Sequence, residues 1–476
     1  MKSIHDYLEK AYETWADRPY IHTKEQGVWH AKTFREVIDD VRALSRSLLQ
    51  LGLGHRNIMI CSENSYEWTI LYLGIMGYVG TCVPVDREWT SYDFCHTLSV
   101  IDTAAVFYSR AKSACMDELQ EQYPDISWFC IEDTLPGLIR TGRRPELWLT
   151  GQTDPAQTVM ILFTSGTTDL PKAIPLTQEN LFANWDTLYR RTPMTAADRS
   201  CIFLPLHHVY TGVANFLYSI ISGMQIWLCP NLSRMVPELM DIRPTILCTV
   251  PLLLYRMYEA MTDELLAVLR DIRFLYCGGS FTDPGIKQYF IQNGVNLLEA
   301  YGTTETSSVI ALAVPGDPET DSNGVVFENL EVWIEAPDEN GVGEIVVRGK
   351  SVSAGYLDQN SRSCAFDPDG AYHTGDLGRL DDHRRLYLKG RKRRMILTAA
   401  GKNIYVDELE ELLLGCPGIR AAKVYEEAHH PAAAVVTDLP EADIQTHVDR
   451  INRLLPRYKQ IRRVHIKPDT LGGRIK

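Results

Sequence analysis

Hydroxyl, glycine and lysine residues are concentrated in one stretch that directly follows an apolar segment, residues 160–163. A loop of this composition offers backbone N–H groups, hydroxyl donors and one ammonium, which together suit a polyphosphate. The competing interpretation is a polar turn with a surface lysine. It is not a Walker A loop, because no glycine precedes the lysine and no serine or threonine follows it. The residues concerned are Thr164, Ser165, Gly166, Thr167, Thr168 and Lys172.

Composition and motifs exclude several other functions. The 476 residues carry 48 Lys and Arg against 61 Asp and Glu, and the net charge of −13 argues against nonspecific binding of nucleic acid. Neither HExxH nor GxSxG occurs, which excludes a zinc protease of that type and a nucleophile elbow. Gly52 and Gly54 follow a helix pattern rather than a strand, so they are not a dinucleotide fingerprint.

Cysteine usage and apolar stretches indicate the compartment. Eleven cysteines are scattered without a C-x-x-C pair, which predicts reduced thiols rather than disulfides or a structural zinc site. The first 15 residues lack the apolar run of a signal peptide, so we expect a cytoplasmic protein. Residues 68–85 and 209–229 are uncharged and approach the roughly 20 residues of a membrane span. Glycines interrupt both, and each fits a buried helix followed by a core strand, so we expect no integral membrane span.

The elements that must position the loop alternate between helix and strand patterns. Thr33 and Glu36 form a capping box that opens an amphipathic helix, and residues 58–61 follow as a strand. The alternation continues to about residue 330 and predicts layered α/β subdomains around a mostly parallel sheet. Strand patterns dominate residues 330–388, whereas residues 390–476 mix short strands with two amphipathic helices. We therefore predict an α/β fold with a large N-terminal domain, including a β-rich segment, and a small α+β C-terminal domain.

Charge separates these two parts of the chain. Residues 390–476 hold 16 basic and 11 acidic residues, whereas the rest holds 32 basic and 50 acidic residues. The chain is longer than the roughly 250–300 residues at which single cores stop growing. We place the boundary where the charge balance changes sign, which gives domains 1–389 and 390–476.

Five motifs in order give the sequence a resemblance to a known family. They are the loop at residues 163–172, Tyr-Gly-Thr-Thr-Glu at 301–305, Gly-Glu-Ile-Val-Val-Arg-Gly at 343–349 with Gly355 and Tyr356, Thr-Gly-Asp at 374–376, and Gly390-Arg391 with Gly-Lys-Asn-Ile at 401–404. From about residue 10 onward the chain resembles the adenylate-forming (AMP-binding) superfamily. Its pattern is most like that of fatty and aryl acid–CoA ligases.

The resemblance implies two half-reactions at one site. A carboxylic acid and ATP, with Mg²⁺, give acyl-AMP and pyrophosphate, and a thiol then displaces AMP. The small C-terminal domain is expected to be mobile and to rotate around residues 389–393 between the two steps. The basic tail suits either coenzyme A or the phosphopantetheine of an acidic acyl carrier protein, and we expect coenzyme A.

By the same resemblance, each motif residue receives a role. Lys172 and the hydroxyl loop would hold the β- and γ-phosphates, Glu305 would hold Mg²⁺, and Thr304 would lie near the α-phosphate. Asp376 would accept the ribose hydroxyls with help from Arg391. The remaining nucleotide-site residues are Gly278, Gly279, Tyr301, Gly302 and Thr303, of which Tyr301 would stack on adenine. The alternatives are solvated surface acids for Glu305 and Asp376, and a core aromatic for Tyr301.

The sequence departs from the family pattern at several positions. Asp169 and Ala173 replace usual glycines, and the charge of Asp169 would repel a triphosphate. Tyr372 replaces a usual tryptophan, and Arg394 replaces a common aspartate. Arg474 stands where the family has a lysine that assists adenylation. Three outcomes stay open: that Arg474 substitutes, which we favour, that Lys476 takes the role, or that adenylation is impaired.

Residues 204–216 bear on the acid substrate. Amino-acid-activating relatives place an aspartate there for the substrate ammonium, but this segment contains no acid, so an ammonium would be unpaired. We therefore predict a fatty or aryl acid without an α-amino group, with His208 at its carboxylate end. The candidate pocket walls are Val209, Tyr210, Val213 and Phe216. A different alternative, motivated by Asp169 and Arg474, is a non-catalytic protein that binds nucleotide or acyl groups.

Overall fold

The chain forms two compact units. The computed structural model describes residues 3–143, 149–164, 171–280, 282–317, 319–358, 365–392, 395–397, 403–427, 430–455 and 459–467. The larger unit comprises Met1–Glu331 and Arg348–Tyr372, and the smaller comprises Val332–Val347 and His373–Lys476. The predicted α/β class, with a large and a small part, is confirmed. The domain boundary that we place between residues 389 and 390 stays a prediction.

One sheet of the larger unit contains the strands that flank the hydroxyl loop in the sequence. Among the described residues it has six strands, and all neighbours pair in parallel except the last two. The strand order is β6-β5-β3-β4-β7-β8. Their bounds are β3 Asn57–Cys61, β4 Thr81–Pro84, β5 Thr103–Tyr108, β6 Ser127–Cys130, β7 Thr158–Thr164 and β8 Lys172–Thr177.

A second sheet of the larger unit carries the Tyr301–Glu305 motif. Nine described strands form it in the order β15-β14-β13-β12-β11-β9-β10-β1-β2, and the strands from β13 to β1 pair in parallel. Their bounds are β1 Pro19–Glu25, β2 Val28–Thr33, β9 Arg199–Ile202, β10 Gln225–Leu228, β11 Ile246–Thr249, β12 Phe274–Gly278, β13 Leu297–Tyr301, β14 Ala311–Leu312 and β15 Val325–Val326. The predicted mostly parallel sheet is confirmed in both cases.

Helices connect the strands of the larger unit. The predicted capping box is present at α2, where Thr33 accepts from the backbone N–H of Glu36 and its own N–H donates to Glu36 Oε2. The α-helices are α1 Ile4–Trp15, α2 Phe34–Gln50, α3 Tyr66–Gly74, α4 Ser91–Val100, α5 Ser113–Gln122, α6 Ile131–Gly142, α7 Gln178–Arg191, α8 Val209–Thr211, α9 Tyr218–Ser222, α10 Met235–Ile242, α11 Pro251–Glu259, α12 Asp263–Arg270 and α13 Pro284–Gln292. Two π-helical segments, Ile75–Val79 and Gly212–Leu217, extend α3 and α8. Among the described helices, none combines the length and the apolar character that crossing a bilayer requires.

The smaller unit has its own core. Ile444, Val448 and Ile451 lie on the buried face of its second helix, as their spacing predicts. The helices are α14 Val406–Leu414 and α15 Glu441–Leu454. The strands, some of which extend across the division between the units, are β16 Leu330–Glu335, β17 Gly343–Gly349, β18 Tyr372–Leu380, β19 Leu386–Arg391, β20 Met395–Leu397, β21 Asn403–Tyr405, β22 Ile419–Glu427, β23 His430–Thr437 and β24 Arg463–Lys467.

Candidate active site

The two strands on either side of the hydroxyl loop are neighbours in the six-stranded sheet. β7 and β8 pair antiparallel, and Thr164 lies opposite Lys172 in the register. The pairing therefore holds the first hydroxyl of the loop next to its lysine. The predicted phosphate ligands Ser165, Gly166, Thr167 and Thr168, together with Asp169, lie outside the described residues.

The glycines and the tyrosine that the sequence predicts to contact the nucleotide lie at the ends of two neighbouring parallel strands. β12 ends at Gly278 and β13 ends at Tyr301, so both segments emerge at the same edge of the nine-stranded sheet. Gly279 has a φ of +83°, a conformation that favours glycine. Tyr301 is buried at 7% exposure. The carboxyl ends of parallel strands are the usual location of ligand sites in open α/β sheets.

A short turn after β13 presents Glu305. The turn Thr304–Thr306 is closed at its start by Thr303, whose backbone N–H donates to Thr306 Oγ1. Beyond the turn, Ser307 and Ser308 have φ values of 60° and 114°. Such left-handed backbone at non-glycine residues stores strain and is enriched at functional sites.

The Glu305 carboxylate is buried, at 5% exposure. One oxygen, Oε1, accepts a hydrogen bond of 2.8 Å from the hydroxyl of Tyr356. No lysine or arginine within the described part of the chain forms an ion pair with Glu305. A buried carboxylate without a cation is costly, and carboxylate oxygens are preferred ligands of Mg²⁺. Glu305 therefore fits the Mg²⁺ ligand that the family resemblance implies.

Tyr356 also contacts the lysine of the hairpin. The Nζ atom of Lys172 lies 4.9 Å from the centre of the Tyr356 ring. The structure thus brings Lys172 and Glu305 to opposite parts of one aromatic side chain. In the sequence, Gly355-Tyr356 is recognisable as part of a family motif, but that motif alone gives Tyr356 no role.

In the smaller unit, Asp376 and Arg391 face each other. They are register partners on β18 and β19, and Arg391 Nε lies 3.1 Å from Asp376 Oδ1. The Asp376 N–H donates to Thr374 Oγ1, whose hydroxyl donates in turn to the carbonyl of Ile345. Asp376 is 7% exposed, so it is not a solvated surface acid.

A second group of the smaller unit could hold a cation. The ligand atoms of Glu335, Glu344 and His373 lie within 4.8 Å of one another. One of these ligands already has a cationic partner, since the Nζ atom of Lys392 lies 2.5 Å from Glu344 Oε2. The buried charge of Glu344 is therefore balanced by the protein itself.

The segment that the sequence predicts to contact the acid follows β9. Because β9 lies parallel to β11 and β12 in the same sheet, residues 204–208 emerge at the edge that carries Gly278. Asn64 fixes this segment, donating to the carbonyl of Leu204 and accepting from the N–H of Leu206. The segment therefore has a defined backbone position near the edge of the sheet that carries Gly278.

The predicted pocket residues differ in exposure. Val213 and Phe216 are completely buried on the π-helical segment, whereas Val209 and Tyr210 are half-buried. The Tyr210 hydroxyl is buried without a hydrogen-bond partner among the described residues. An unpaired polar atom at this position suits a ligand that would supply a partner. The role of all four residues as acid-pocket walls stays a prediction.

The two histidines of this segment are held in the neutral form. Burial, and to a smaller extent the neighbouring His208, lower the pKa of His207 to about 3. His208 is exposed by surface area, yet the surrounding protein still desolvates its imidazole enough to lower its pKa. His207 Nε2 is 3.8 Å from Asp86 Oδ2, but a neutral imidazole forms no ion pair there. His208 can therefore meet a substrate carboxylate as a neutral hydrogen-bond donor.

Replacing His207 by glutamine is expected to reduce the acid sensitivity of the fold. The lowered pKa means that the unfolded state binds a proton more readily, so stability falls as the pH drops from 6.5 towards 3. Between pH 7 and pH 5 the wild type should lose about 2 kcal/mol more than His207→Gln. Denaturant unfolding at both pH values measures this difference, and His30→Gln, at an exposed site, is the control. Equal losses in wild type and His207→Gln would contradict the assignment.

Known proteins resemble the chain over most of its length. A long-chain-fatty-acid–CoA ligase of Mycobacterium bovis, FadD15, is 26% identical over 481 residues, covering 87% of this chain and 78% of that protein. A sulfoacetate–CoA ligase of Cupriavidus necator is 28% identical over 432 residues, covering 86% and 82%. The solved structure of ATP-bound MatB from Rhodopseudomonas palustris has a TM-score of 0.85 at 21% identity, covering 98% and 95%, and shows the same fold.

The sequence profile of one family also matches the chain. Its description is AMP-binding enzyme, and the match extends over residues 8–357. This range includes the hairpin with Lys172, the Glu305 turn and Tyr356. The chain therefore belongs to the AMP-binding enzyme family.

Proposed function

We propose that this protein is an ATP-dependent acid–thiol ligase that activates a fatty or aryl acid as acyl-AMP and transfers the acyl group to coenzyme A. The observation that carries the proposal is the convergence of Lys172 and the buried Glu305 on Tyr356, in a chain of the AMP-binding family. The CoA ligase names of the relatives support the same reaction class.

The reaction needs a leaving group, because a carboxylate is a poor acylating agent. A carboxylate oxygen bonds to the α-phosphorus of ATP as the bond to pyrophosphate breaks. The thiol sulfur then bonds to the acyl carbon as the bond to the AMP oxygen breaks, and the thiol proton is released. Most of the catalytic effect in such transfers comes from positioning and charge stabilisation.

The residues of this chain divide that work. Lys172 and the hydroxyl loop bind the β- and γ-phosphates, and Thr304 lies near the α-phosphate. Glu305 holds Mg²⁺, which when bound neutralises phosphate charge. Asp376, positioned by Arg391, accepts the ribose hydroxyls, whereas neutral His208 orients the acid. Tyr301 stacks on the adenine base, close to Gly278 and Gly279.

The substrate class follows from residues 204–216. No acidic side chain belongs to this segment, so it offers no partner to an α-ammonium group. Incubation of the protein with ATP, Mg²⁺ and a panel of fatty, aryl and amino acids, with coenzyme A or a phosphopantetheinylated carrier protein, tests the proposal. Mass spectrometry should find AMP and an acyl-CoA for a fatty or aryl acid. Transfer only to the carrier protein would support the second acceptor instead, and products from amino acids alone would overturn the substrate class.

We propose that Arg474 assists adenylation in the role that a lysine has in the family. Arg474 lies outside the described residues. Arg474→Ala should slow pyrophosphate release by about 100-fold, since one charged donor near the reacting phosphate is lost. Arg474→Lys should retain or raise the rate, and Lys476→Ala should leave it unchanged. An unchanged rate in Arg474→Ala would show that another residue has the role.

We also propose a cytoplasmic location and a mobile domain from residue 390. The ten cysteines within the described residues are all free thiols, which suits a reducing compartment. The proposed hinge includes Lys389, Gly390 and Arg391, whereas Arg393 and Arg394 lie outside the described residues.

A further inference from the structure

The segment that follows β17 is fixed against both halves of the candidate nucleotide site. The N–H of Ser353 donates to the carbonyl of Glu305 at 2.7 Å, and its hydroxyl donates to the carbonyl of Pro175 on β8 at 2.7 Å. The N–H of Leu357 donates to the carbonyl of Ala173 at 3.0 Å. Tyr356, one residue earlier, therefore extends from a backbone that is anchored on the Glu305 turn and on β8.

The side chain of Tyr356 is held as firmly as its backbone. It is 5% exposed, and its ring meets Phe366 edge-on at 5.4 Å between centroids. Its hydroxyl donates to Glu305 Oε1 at 2.8 Å, while its face receives the Lys172 ammonium at 4.9 Å. A single ring thus contacts an anion at its polar tip and a cation at its face.

This arrangement prevents two opposite charges from cancelling each other. Lys172 and Glu305 both contact Tyr356, yet within the described residues neither forms an ion pair. A direct Lys172–Glu305 pair would leave less charge for a metal and for phosphates. A cation–π contact holds the ammonium without neutralising it, and a hydroxyl donor to one carboxylate oxygen leaves the other oxygen available.

We propose that Tyr356 is a positioning residue that keeps Glu305 and Lys172 apart, so that the carboxylate stays available to Mg²⁺ and the ammonium to the triphosphate. This inference rests on the proposed function. It assigns separate tasks to the two parts of the side chain. The hydroxyl acts on metal binding through Glu305, and the ring acts on phosphate binding through Lys172.

Isothermal calorimetry separates these two tasks without measuring turnover. ATP is titrated into the protein once in the presence of Mg²⁺ and once in the presence of EDTA, which gives the Kd for Mg²⁺-ATP and the Kd for metal-free ATP. Tyr356→Phe keeps the ring, so its Kd for Mg²⁺-ATP should rise about tenfold, as expected for loss of a hydrogen-bond partner of a metal ligand. Its Kd for metal-free ATP should be unchanged. Tyr356→Leu also removes the ring, so metal-free ATP should bind about fivefold more weakly as well.

Tyr66→Phe is the matched control, because the Tyr66 hydroxyl donates at 2.7 Å to Asp40, a carboxylate that is likewise buried. It should bind both forms of ATP as the wild type does. A double variant tests whether the hydroxyl acts through Glu305. In that case the Tyr356→Phe, Glu305→Gln double variant should bind Mg²⁺-ATP as weakly as Glu305→Gln alone, and no more weakly. Additive losses of binding free energy would overturn the inference.

Two further outcomes would overturn it. The first is binding by Tyr356→Phe that equals that of the wild type, and the second is an equal weakening of both forms of ATP, as a general disturbance of the fold would cause. Either result, with Mg²⁺-ATP binding intact in the wild type, leaves the proposed function standing. Failure of the wild type to bind Mg²⁺-ATP would overturn the proposed function and this inference together.

Discussion

Replacement of Glu305 by glutamine should lower acid-dependent ATP–pyrophosphate exchange by about 10³-fold, while the protein remains folded. The carboxylate is 5% exposed and has no ion-pair partner among the described residues, so its charge is available to a metal. A glutamine side chain has nearly the same shape as a glutamate side chain, and its carbonyl oxygen can still accept a hydrogen bond from the Tyr356 hydroxyl. The substitution therefore removes charge with little change in packing. Exchange rates and denaturant unfolding, measured on the same preparations, distinguish these effects.

Glu238→Gln provides the matched control for this prediction. Glu238, on α10, is 4% exposed, close to the value for Glu305, and it pairs with Lys24 and Arg234 rather than lying in the candidate site. Its replacement should alter stability but not the exchange rate at saturating ATP. A near-normal exchange rate in Glu305→Gln would show that Glu305 is not a metal ligand of the reaction.

Gly302→Ala should destabilise the protein by about 3 kcal/mol, because a new methyl group would be forced into packed backbone. A Cβ atom at position 302 would collide with the carbonyl of Ser308 and would lie 2.9 Å from Cα of Val309. Ser308 cannot move away easily, since its φ is already 114° and the neighbouring Ser307 hydroxyl donates to the carbonyl of Ser351 at 2.9 Å. The strain would shift the turn that carries Glu305.

The same variant should therefore lose catalysis as well as stability. A displacement of about 1 Å at a reacting group can reduce the rate roughly 100-fold, so exchange should fall by about that factor at a temperature where the variant is folded. Gly137→Ala, on α6, is the control, since the nearest atom to its Cβ would be 3.9 Å away. It should be neutral or more stable by about 0.5–1 kcal/mol. Normal stability and exchange in Gly302→Ala would contradict the geometry of this turn.

The secondary structure of this chain is largely readable from local patterns. The capping box of Thr33 and Glu36 begins α2 as predicted, and the apolar spacing at Ile444, Val448 and Ile451 identifies the buried face of α15. The uncharged stretch at residues 209–229 is a helical segment followed by β10, as expected. These features depend on neighbours within a few residues, which is why periodicity and capping rules suffice.

The side-chain contacts of the site depend on residues far apart in the chain and could not be read in this way. Tyr356 and Glu305 are 51 positions apart, and nothing in their local sequences shows that the hydroxyl meets the carboxylate. Similarly, the neutral state of His207 follows from burial, which a sequence without structure does not reveal. Motif order indicated which residues matter, whereas the fold supplies the contacts through which they act.

We propose that this site converts a carboxylic acid into an acyl adenylate. ATP–pyrophosphate exchange, measured in the absence of any thiol and across fatty and aryl acids, is the direct test of this claim, because the exchange requires a reversible adenylation step. We predict exchange that depends on Mg²⁺ and on one class of these acids, and that is lost in Glu305→Gln. Absence of exchange with every acid, despite binding of Mg²⁺-ATP, would contradict the claim and favour a protein that only binds nucleotide.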